Sequence, residues 1–529
     1  MTHYDLIIRG GYVIDGTGAP AFKADIGVVE DAIIKLGDLS GCPADLVIDA
    51  EGMYVSPGII DIHNHSDLSI FKVPTADNYV LQGVTTIVVG NCGSSPAPVT
   101  EKNKDFIREF MWGLEASDFP VKWRSFSEYL SKLDSLKKSI NVAALIGHGT
   151  VRSAVLGAED VKASERELKE MALLIEDAMK SGAFGMSLGL IYVPSMFADF
   201  NELTYLSKAV AKYGGLLAVH MRDEGLGLID SVIEVITIAK ETGVKLEISH
   251  LKAVGKASWG KAATALRIIE EYASRGLDVS ADAYPYEASS TFLSAILPKW
   301  VREGGTPALL SRLSDPEVVE KLRTDLIREG IMGSRRLEWS DIMISSSLSH
   351  RDIEGLRLNE VASRWGTDPL SAVVKILLDD RGLTEMVVFG MNEEEVTEVI
   401  SHPLVAISSD GLVQLPGESK PHPRNYGAFP RVIARYVREK KVLSLPEAIR
   451  KMTSLPARKL GLWDRGIIRP GFKADLIVFD FNSIKDNATY LNPHSYPTGI
   501  KAVVINGVVV VEEGRHAGSL PGKLLRYRA

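Results

Sequence analysis

Between residues 58 and 411, short apolar runs alternate with longer stretches in which apolar residues recur every three or four positions. That alternation is what a parallel sheet built from repeated βα units requires. Eight runs read as strands: GIIDIHNH (58–65), VTTIVVGNC (84–92), NVAALIGHG (141–149), AFGMSLGL (183–190), GLLAVHMRDE (215–224), KLEISHLK (245–252), LDVSADAYPY (277–286) and LVAISSDG (404–411). Eight is the number that closes a (β/α)8 barrel. The clearest helix spans Ser164 to Ser181. Ser164 and Glu167 stand at capping-box spacing, Leu168, Met171, Ala172, Ile175, Ala178 and Met179 form one apolar stripe, and Gly182 supplies the stop.

The flanks have a different texture. DLIIRGGYVID, ADIGVVEDAIIKLG and LVIDAEGMYV near the start, and IIRPGFKADLIVFD and IKAVVINGVVVVEEG near the end, are short β-rich runs punctuated by Gly and Asp. They predict a small discontinuous β-sandwich formed by residues 1–57 and 466–529, around a barrel domain of residues 58–465. Well over a hundred residues separate the seventh and eighth runs, far more than a βα connection needs. This predicts an inserted lid subdomain at about 288–400, over the barrel mouth.

Composition narrows the function classes. A chain of 529 residues, 45% hydrophobic and 24% charged, buries a large core and exceeds one ordinary compact unit. A net charge of -8 gives no electrostatic reason to bind nucleic acid or an anionic membrane, so the expected partner is a small molecule. Cys42 and Cys92 are too few for a disulfide framework and fit a reducing compartment. Met1 to Gly11 lacks a basic segment followed by an apolar signal core, and no run of about 18 apolar residues occurs. The expected location is the cytoplasm.

Metal-capable residues stand at the carboxyl ends of the predicted strands: His63 and His65, Cys92, His148, His220, His250 and Asp410. In a (β/α)8 barrel those ends converge on one mouth. His63 and His65 flank Asn64, and a period of two sends both imidazoles to one side, although a His-x-His also arises by chance. Cys92 in GNCG reads either as a small buried apolar residue or as a thiolate ligand whose glycine neighbours let backbone approach an ion. A Cys with His220 and His250 leaves a fourth position open, as a catalytic zinc site needs. Asp410 in SSDG reads as a turn residue or, beside a metal, as the group that takes a proton from water and returns one to a leaving amine. Lys252, two residues after His250, and Arg424 in HPRNYG are either solvated cations or a carboxylate-binding pair. Tyr284 or Tyr286 in DAYPY offers a hydroxyl or packs, and His148 and Arg152 in GHGTVR stand near the mouth, within reach of substrate.

These motifs resemble the amidohydrolase superfamily, and within it the D-aminoacylase family of N-acyl-D-amino-acid deacylases. The resemblance covers essentially the whole chain, from IIRGGYVIDGTG through SPGIIDIHNHSD, VVGNCG, GAFGMSLGL, HMRDEG, ISHLK, DAYPY, SSDG and HPRNYGAFPR to RPGFKADLIVFD. It implies a tight zinc held by Cys92, His220 and His250, and a second, weaker metal position lined by His63 and His65 near Cys92 and Asp410. It implies Asp410 as the catalytic acid-base and Lys252, Tyr284 and Arg424 facing the substrate carboxylate. Where many members of the superfamily bridge two metals with a carboxylated lysine, the fourth strand here ends in SLGL, and the resemblance puts Cys92 in the bridging place. The implied reaction is hydrolysis of N-acyl-D-amino acids. The rival readings are a cyclic amidohydrolase of the hydantoinase or dihydroorotase kind, and an inactive barrel serving as a binding scaffold.

Overall fold

The computed structural model describes residues 2–104, 106–107, 121–333, 337–417 and 419–528, and in it each of the eight runs contains a parallel barrel strand. In chain order these are β1 (Ile59–Asp61), β2 (Val84–Val89), β3 (Asn141–Ala144, resumed at Ile146–Gly147), β4 (Gly185–Gly189), β5 (Leu216–His220), β6 (Lys245–Ile248), β7 (Val279–Ala283) and β8 (Val405–Ile407). Each pairs with the next. β3 does so in two pieces, its first half on β2 and its second on β4. The ring closes beyond the last residues of β1 and β8, where Asp410 N donates to His63 O at 2.9 Å and His65 N donates to Gly411 O at 2.8 Å. Closure therefore happens at candidate site residues, and they sit on paired backbone.

The two-residue strand period sorts the apolar side chains. Ile60, Val88, Ala143, Leu216, Ala218 and Ala406 pack together in one cluster, while their neighbours Ile87, Val89, Val142, Ala144, Leu217, Val219 and Ile407 belong to the core shared with the surrounding helices. Both faces are covered, so VTTIVV in β2 is buried at all six positions, which is why these strands read as unbroken apolar runs. The helix Glu165–Ser181 carries the expected capping box at Ser164 and Glu167 and ends on Gly182 at φ +106°. Leu168, Met171, Ile175, Ala178 and Met179 are buried in the shared core, with Ala172 packed against it.

Residues from both ends of the chain share one seven-stranded sheet, in which Tyr54–Pro57 pairs antiparallel with Leu476–Phe479. A four-stranded sheet built from Tyr4–Arg9, Asp25–Val29, Ala32–Gly37 and Ala44–Asp49 packs against it through Leu6, Ile8, Ile26, Val28, Val55, Leu476, Val478 and Val504. The chain between β7 and β8 forms a unit with its own core. Strands Ser289–Phe292, Glu385–Val388 and Ile342–Ser346 make an antiparallel sheet. Leu293, Leu322, Leu326, Ile344, Val373 and Ile376 pack beside it as a separate apolar cluster. Helix Glu393–Ser401, just before β8, returns to the barrel core through Val396, Val399 and Ile400. Among the described residues, no helix is long and apolar enough to cross a membrane.

Candidate functional site

The carboxyl ends of the strands meet at one cluster of potential ligand atoms. Cys92 Sγ lies 3.3 Å from His63 Nε2, 3.5 Å from His220 Nδ1 and 3.5 Å from His250 Nε2. Among the described residues two groups have the spacing to hold a metal ion, one of Cys92, His220 and His250, the other of His63, His65, Cys92 and Asp410. Cys92 belongs to both. All of these residues are buried except His65, which is partly open to the cavity.

Backbone conformation at the cluster is unusual. Cys92, His250 and Asp410 all take left-handed φ values, +52°, +37° and +50°, which L residues adopt at an energetic cost that functional sites often store. The glycines of GNCG have a different role from the one expected of them. A Cβ on Gly90 would stand 2.0 Å from the Leu145 carbonyl oxygen, and one on Gly93 would stand 2.5 Å from the Gly189 nitrogen. They let the ends of β2, β3 and β4 approach one another, and Cys92 is aimed by that packing.

Behind the inward-facing nitrogens stand carboxylates. Glu224 Oε1 is 2.9 Å from His250 Nδ1, Glu224 Oε2 is 3.6 Å from His220 Nε2, and Asp282 Oδ1 is 3.5 Å from His63 Nδ1. Glu224 and Lys252 both stand at Nδ1, on the outer side of the His250 ring, while Nε2 faces Cys92, the kind of outer arrangement that fixes ring orientation at metal sites. Glu224 and Asp282 were not singled out from the sequence. The signal for Glu224 was its place four residues after His220 in HMRDEG; Asp282 opens DAYPY.

Electrostatics favour ionised donors. Burial alone would raise the Cys92 thiol, but His63, His220 and His250 around it hold it well below the ordinary thiol value. Burial likewise opposes ionisation of Asp410, and Arg424, His63, His250 and His65 outweigh it, holding the carboxyl well below the usual range. Asp410 Oδ2 accepts from Arg424 Nη1 at 2.7 Å, and Oδ1 lies 3.0 Å from His65 Nε2. Arg424 Nε is buried without a hydrogen-bond partner, and the guanidinium lies 4.9 Å from the Tyr284 ring centroid. The Tyr284 hydroxyl is also buried and unpartnered, and burial pushes its pKa well above the ordinary phenol value, so it stays a donor.

Lys252 is placed beside the cluster but is already engaged. Its Nζ is 2.6 Å from Glu224 Oε1, 2.7 Å from His250 Nδ1 and 2.9 Å from the His250 carbonyl oxygen. Tyr286 packs edge-on against His422 and under Arg431 rather than at the ligand cluster. A cavity of about 1040 Å³ opens over the site, lined by Cys92, His65, His220, His250, Asp410, Arg424, Tyr284 and Lys252. The unit inserted between β7 and β8 contributes Thr291, Phe292, Arg302, Met332 and Glu385 to its wall.

His148 and Arg152 lie outside the lining of this cavity. Arg152 Nη1 donates to Glu202 Oε2 at 2.6 Å, His148 Nε2 is 3.0 Å from Glu202 Oε1, and all three side chains are buried. They form a structural ion network between helices. Glu202→Ala strands the buried guanidinium, and the expected loss of unfolding free energy is about 3–5 kcal/mol. Equilibrium urea unfolding measures it, and a loss below about 1 kcal/mol, the level of an exposed pair, would refute the network's structural weight.

A family model described as "Amidohydrolase family" matches residues 46–511. The chain is 36% identical over 525 residues to the N-acyl-D-glutamate deacylase of Alcaligenes xylosoxydans xylosoxydans, covering 99% of this chain and 97% of that protein. It is 34% identical over 526 residues to the D-aminoacylase of the same organism, covering 99% and 98%. Among solved structures, the N-acyl-D-glutamate deacylase from Bordetella bronchiseptica, complexed with zinc and a phosphonate mimic of the tetrahedral intermediate, superposes with a TM-score of 0.84 at 33% identity, covering 99% of this chain and 100% of that one.

Proposed function

The chain belongs to the amidohydrolase family, in its D-aminoacylase group of N-acyl-D-amino-acid deacylases, and from that premise we infer that it hydrolyses the amide bond of N-acyl-D-amino acids, releasing a carboxylate and a free D-amino acid. One observation carries the reading. Two metal-ligand groups share Cys92 in the wall of a cavity that also presents Asp410, Arg424 and Tyr284.

The residues suit zinc. A thiolate with imidazole nitrogens is the donor set that zinc prefers, and two of the imidazoles keep a buried nitrogen, His63 Nδ1 and His220 Nε2, unpartnered by any hydrogen bond but facing a carboxylate. Cys92, His220 and His250 would hold the tighter ion, with His63, His65 and Asp410 lining a second position beside the same sulfur. A metal bound there supplies Lewis acidity toward the scissile carbonyl and the attacking water.

The side chains do the rest. Asp410, ionised beside Arg424, accepts the proton of the attacking water and delivers it to the leaving nitrogen. Arg424 and the unpartnered Tyr284 hydroxyl orient the α-carboxylate, two donors converging from one wall. Lys252, tied to Glu224 and to the back of His250, adds positive potential beside them while fixing the outer carboxylate. Glu224 and Asp282 orient the imidazoles from behind. The location that suits this chemistry is a reducing one, the cytoplasm, where the thiol of Cys92 stays available.

The test is release of free amino acid from a panel of N-acetyl-D- and N-acetyl-L-amino acids, with hydantoins and dihydropyrimidines alongside, using zinc-loaded protein. Hydrolysis confined to the D series is the expected result. Equal rates on both enantiomers would refute the stereochemical part, and turnover of the cyclic amides alone would replace the deacylase reading.

A further inference from the structure

Two prolines bracket His422 in KPHPRN, and neither offers a backbone N–H. Helix Arg424–Arg431 starts directly after the second, and Pro423 in the N-cap position gives it no side-chain cap. His422 supplies one. Its Nδ1 accepts from Arg424 N, the first N–H of the helix, at 3.0 Å, and its carbonyl oxygen accepts from Asn425 N at 3.2 Å. On the other side of the ring, Nε2 lies 2.9 Å from the carbonyl oxygen of Ala288, the residue before the inserted strand Ser289–Phe292.

Both partners are backbone groups of a single polarity, and that fixes the protonation of the ring. The Ala288 carbonyl only accepts, so Nε2 carries the proton and donates it; the Arg424 N–H only donates, so Nδ1 stays bare. An imidazolium could not accept from Arg424 N. Burial, and after it the Arg424 charge, hold His422 well below the ordinary histidine value, so the neutral ring persists. The side chain is buried, with the rings of Tyr286 and Tyr490 edge-on to it at 5.1 and 5.2 Å. With both nitrogens taken by backbone, the ring keeps no polar atom for substrate.

What the ring holds is the residue that carries the clamp. Arg424 Nη1 donates to Asp410 Oδ2 at 2.7 Å, Nη2 donates to the Ser290 carbonyl oxygen at 3.4 Å, and Nε is buried and unpartnered. A shift of the Arg424 backbone moves this fork off a carboxylate whose two oxygens it must meet together. Misplacement by about 1 Å costs on the order of a hundredfold in rate.

We propose that His422 is a positioning residue, which by accepting from Arg424 N fixes the first turn of helix Arg424–Arg431 and aims the guanidinium at the substrate α-carboxylate. The bond to Ala288 sets the tautomer that makes this possible, and it ties the turn to the inserted unit. The proposal rests on the deacylase reading and deepens it, since the group being aimed at is the α-carboxylate assigned to Arg424 there.

The test is the ratio of kcat/KM for N-acetyl-D-leucine to that for N-acetyl-D-leucinamide, which lacks the α-carboxylate, measured on the zinc-loaded full chain in wild type, His422→Ala, His422→Asn and His422→Gln. Both substrates are read on one preparation, so a misfolded fraction cancels and a merely structural role leaves the ratio unmoved. Wild type is expected to favour the carboxylate by on the order of a hundredfold, the range of charge-assisted hydrogen bonds. His422→Ala lowers that ratio by about tenfold or more. Asparagine keeps an acceptor for the N–H two residues on and retains most of the ratio, whereas glutamine, which keeps only a donor toward Ala288, behaves like alanine. A wild-type ratio in His422→Ala overturns the proposal, as does a ratio kept by glutamine and lost with asparagine. Both results leave the deacylase reading standing. A wild type indifferent to the carboxylate removes the clamp assigned to Arg424 and this proposal with it, and no hydrolysis of either compound removes the deacylase reading as well.

Discussion

Asp410→Asn is expected to keep its zinc and lower kcat by about 10³- to 10⁴-fold, the upper part of the range for a positioned acid-base group. Asparagine is nearly isosteric and tolerates the left-handed conformation that residue 410 adopts at φ +50°, so the backbone pairing of Asp410 N with His63 O survives. What is lost is the carboxylate that Arg424 and the histidines hold ionised, and with it a cavity carboxylate in contact with both His63 and His65. The group of Cys92, His220 and His250 does not include Asp410 and stays intact. Elemental analysis and steady-state kinetics on the same preparation separate the two effects. A variant with full zinc and kcat within tenfold of wild type would remove Asp410 from the proton transfer.

Cys92→Ala is the second large effect. Cys92 is the one residue common to both ligand groups, and its sulfur touches three imidazoles. Its removal leaves neither group with its strongest soft donor, so metal content after dialysis is expected to fall well below one ion per chain. Loss of several kcal/mol of metal-derived transition-state stabilisation corresponds to an activity loss on the order of 10³-fold or more. Alanine at φ +52° carries the same backbone cost as cysteine, so the variant is expected to fold. Stoichiometric zinc with near-wild-type activity would show that the thiolate is no ligand.

Much of this site could be read from residue order. Strands buried on both faces appear as continuous apolar runs, and a barrel brings their ends together, so Cys92, His220, His250 and Asp410 were identifiable as neighbours from their positions alone. The long interval between β7 and β8 pointed in the same way to an inserted unit, and that unit has its own sheet and core.

Other features depend on contacts that spacing does not encode. Glu224 and Asp282 look like any loop or strand carboxylate until the fold places them behind His250, His220 and His63. Lys252 and His250 lie beyond the end of β6, where His250 takes a left-handed backbone, so it is the loop and not strand alternation that brings the Lys252 ammonium to Glu224 and His250. His148 and Arg152 lie on the helix His148–Leu156 that follows β3, and only the position of Glu202 shows that they face the helical layer. The glycines of GNCG signalled close approach, and it is the neighbouring strand ends that approach them.

Whether the thiolate of Cys92 binds the catalytic metal is read from the absorption spectrum of the protein with cobalt(II) in place of zinc. An intense near-ultraviolet sulfur-to-cobalt charge-transfer band is expected in the wild type at one equivalent of cobalt, absent from Cys92→Ala. Cobalt bound at full stoichiometry with no such band would place the metal away from Cys92 and contradict thiolate ligation.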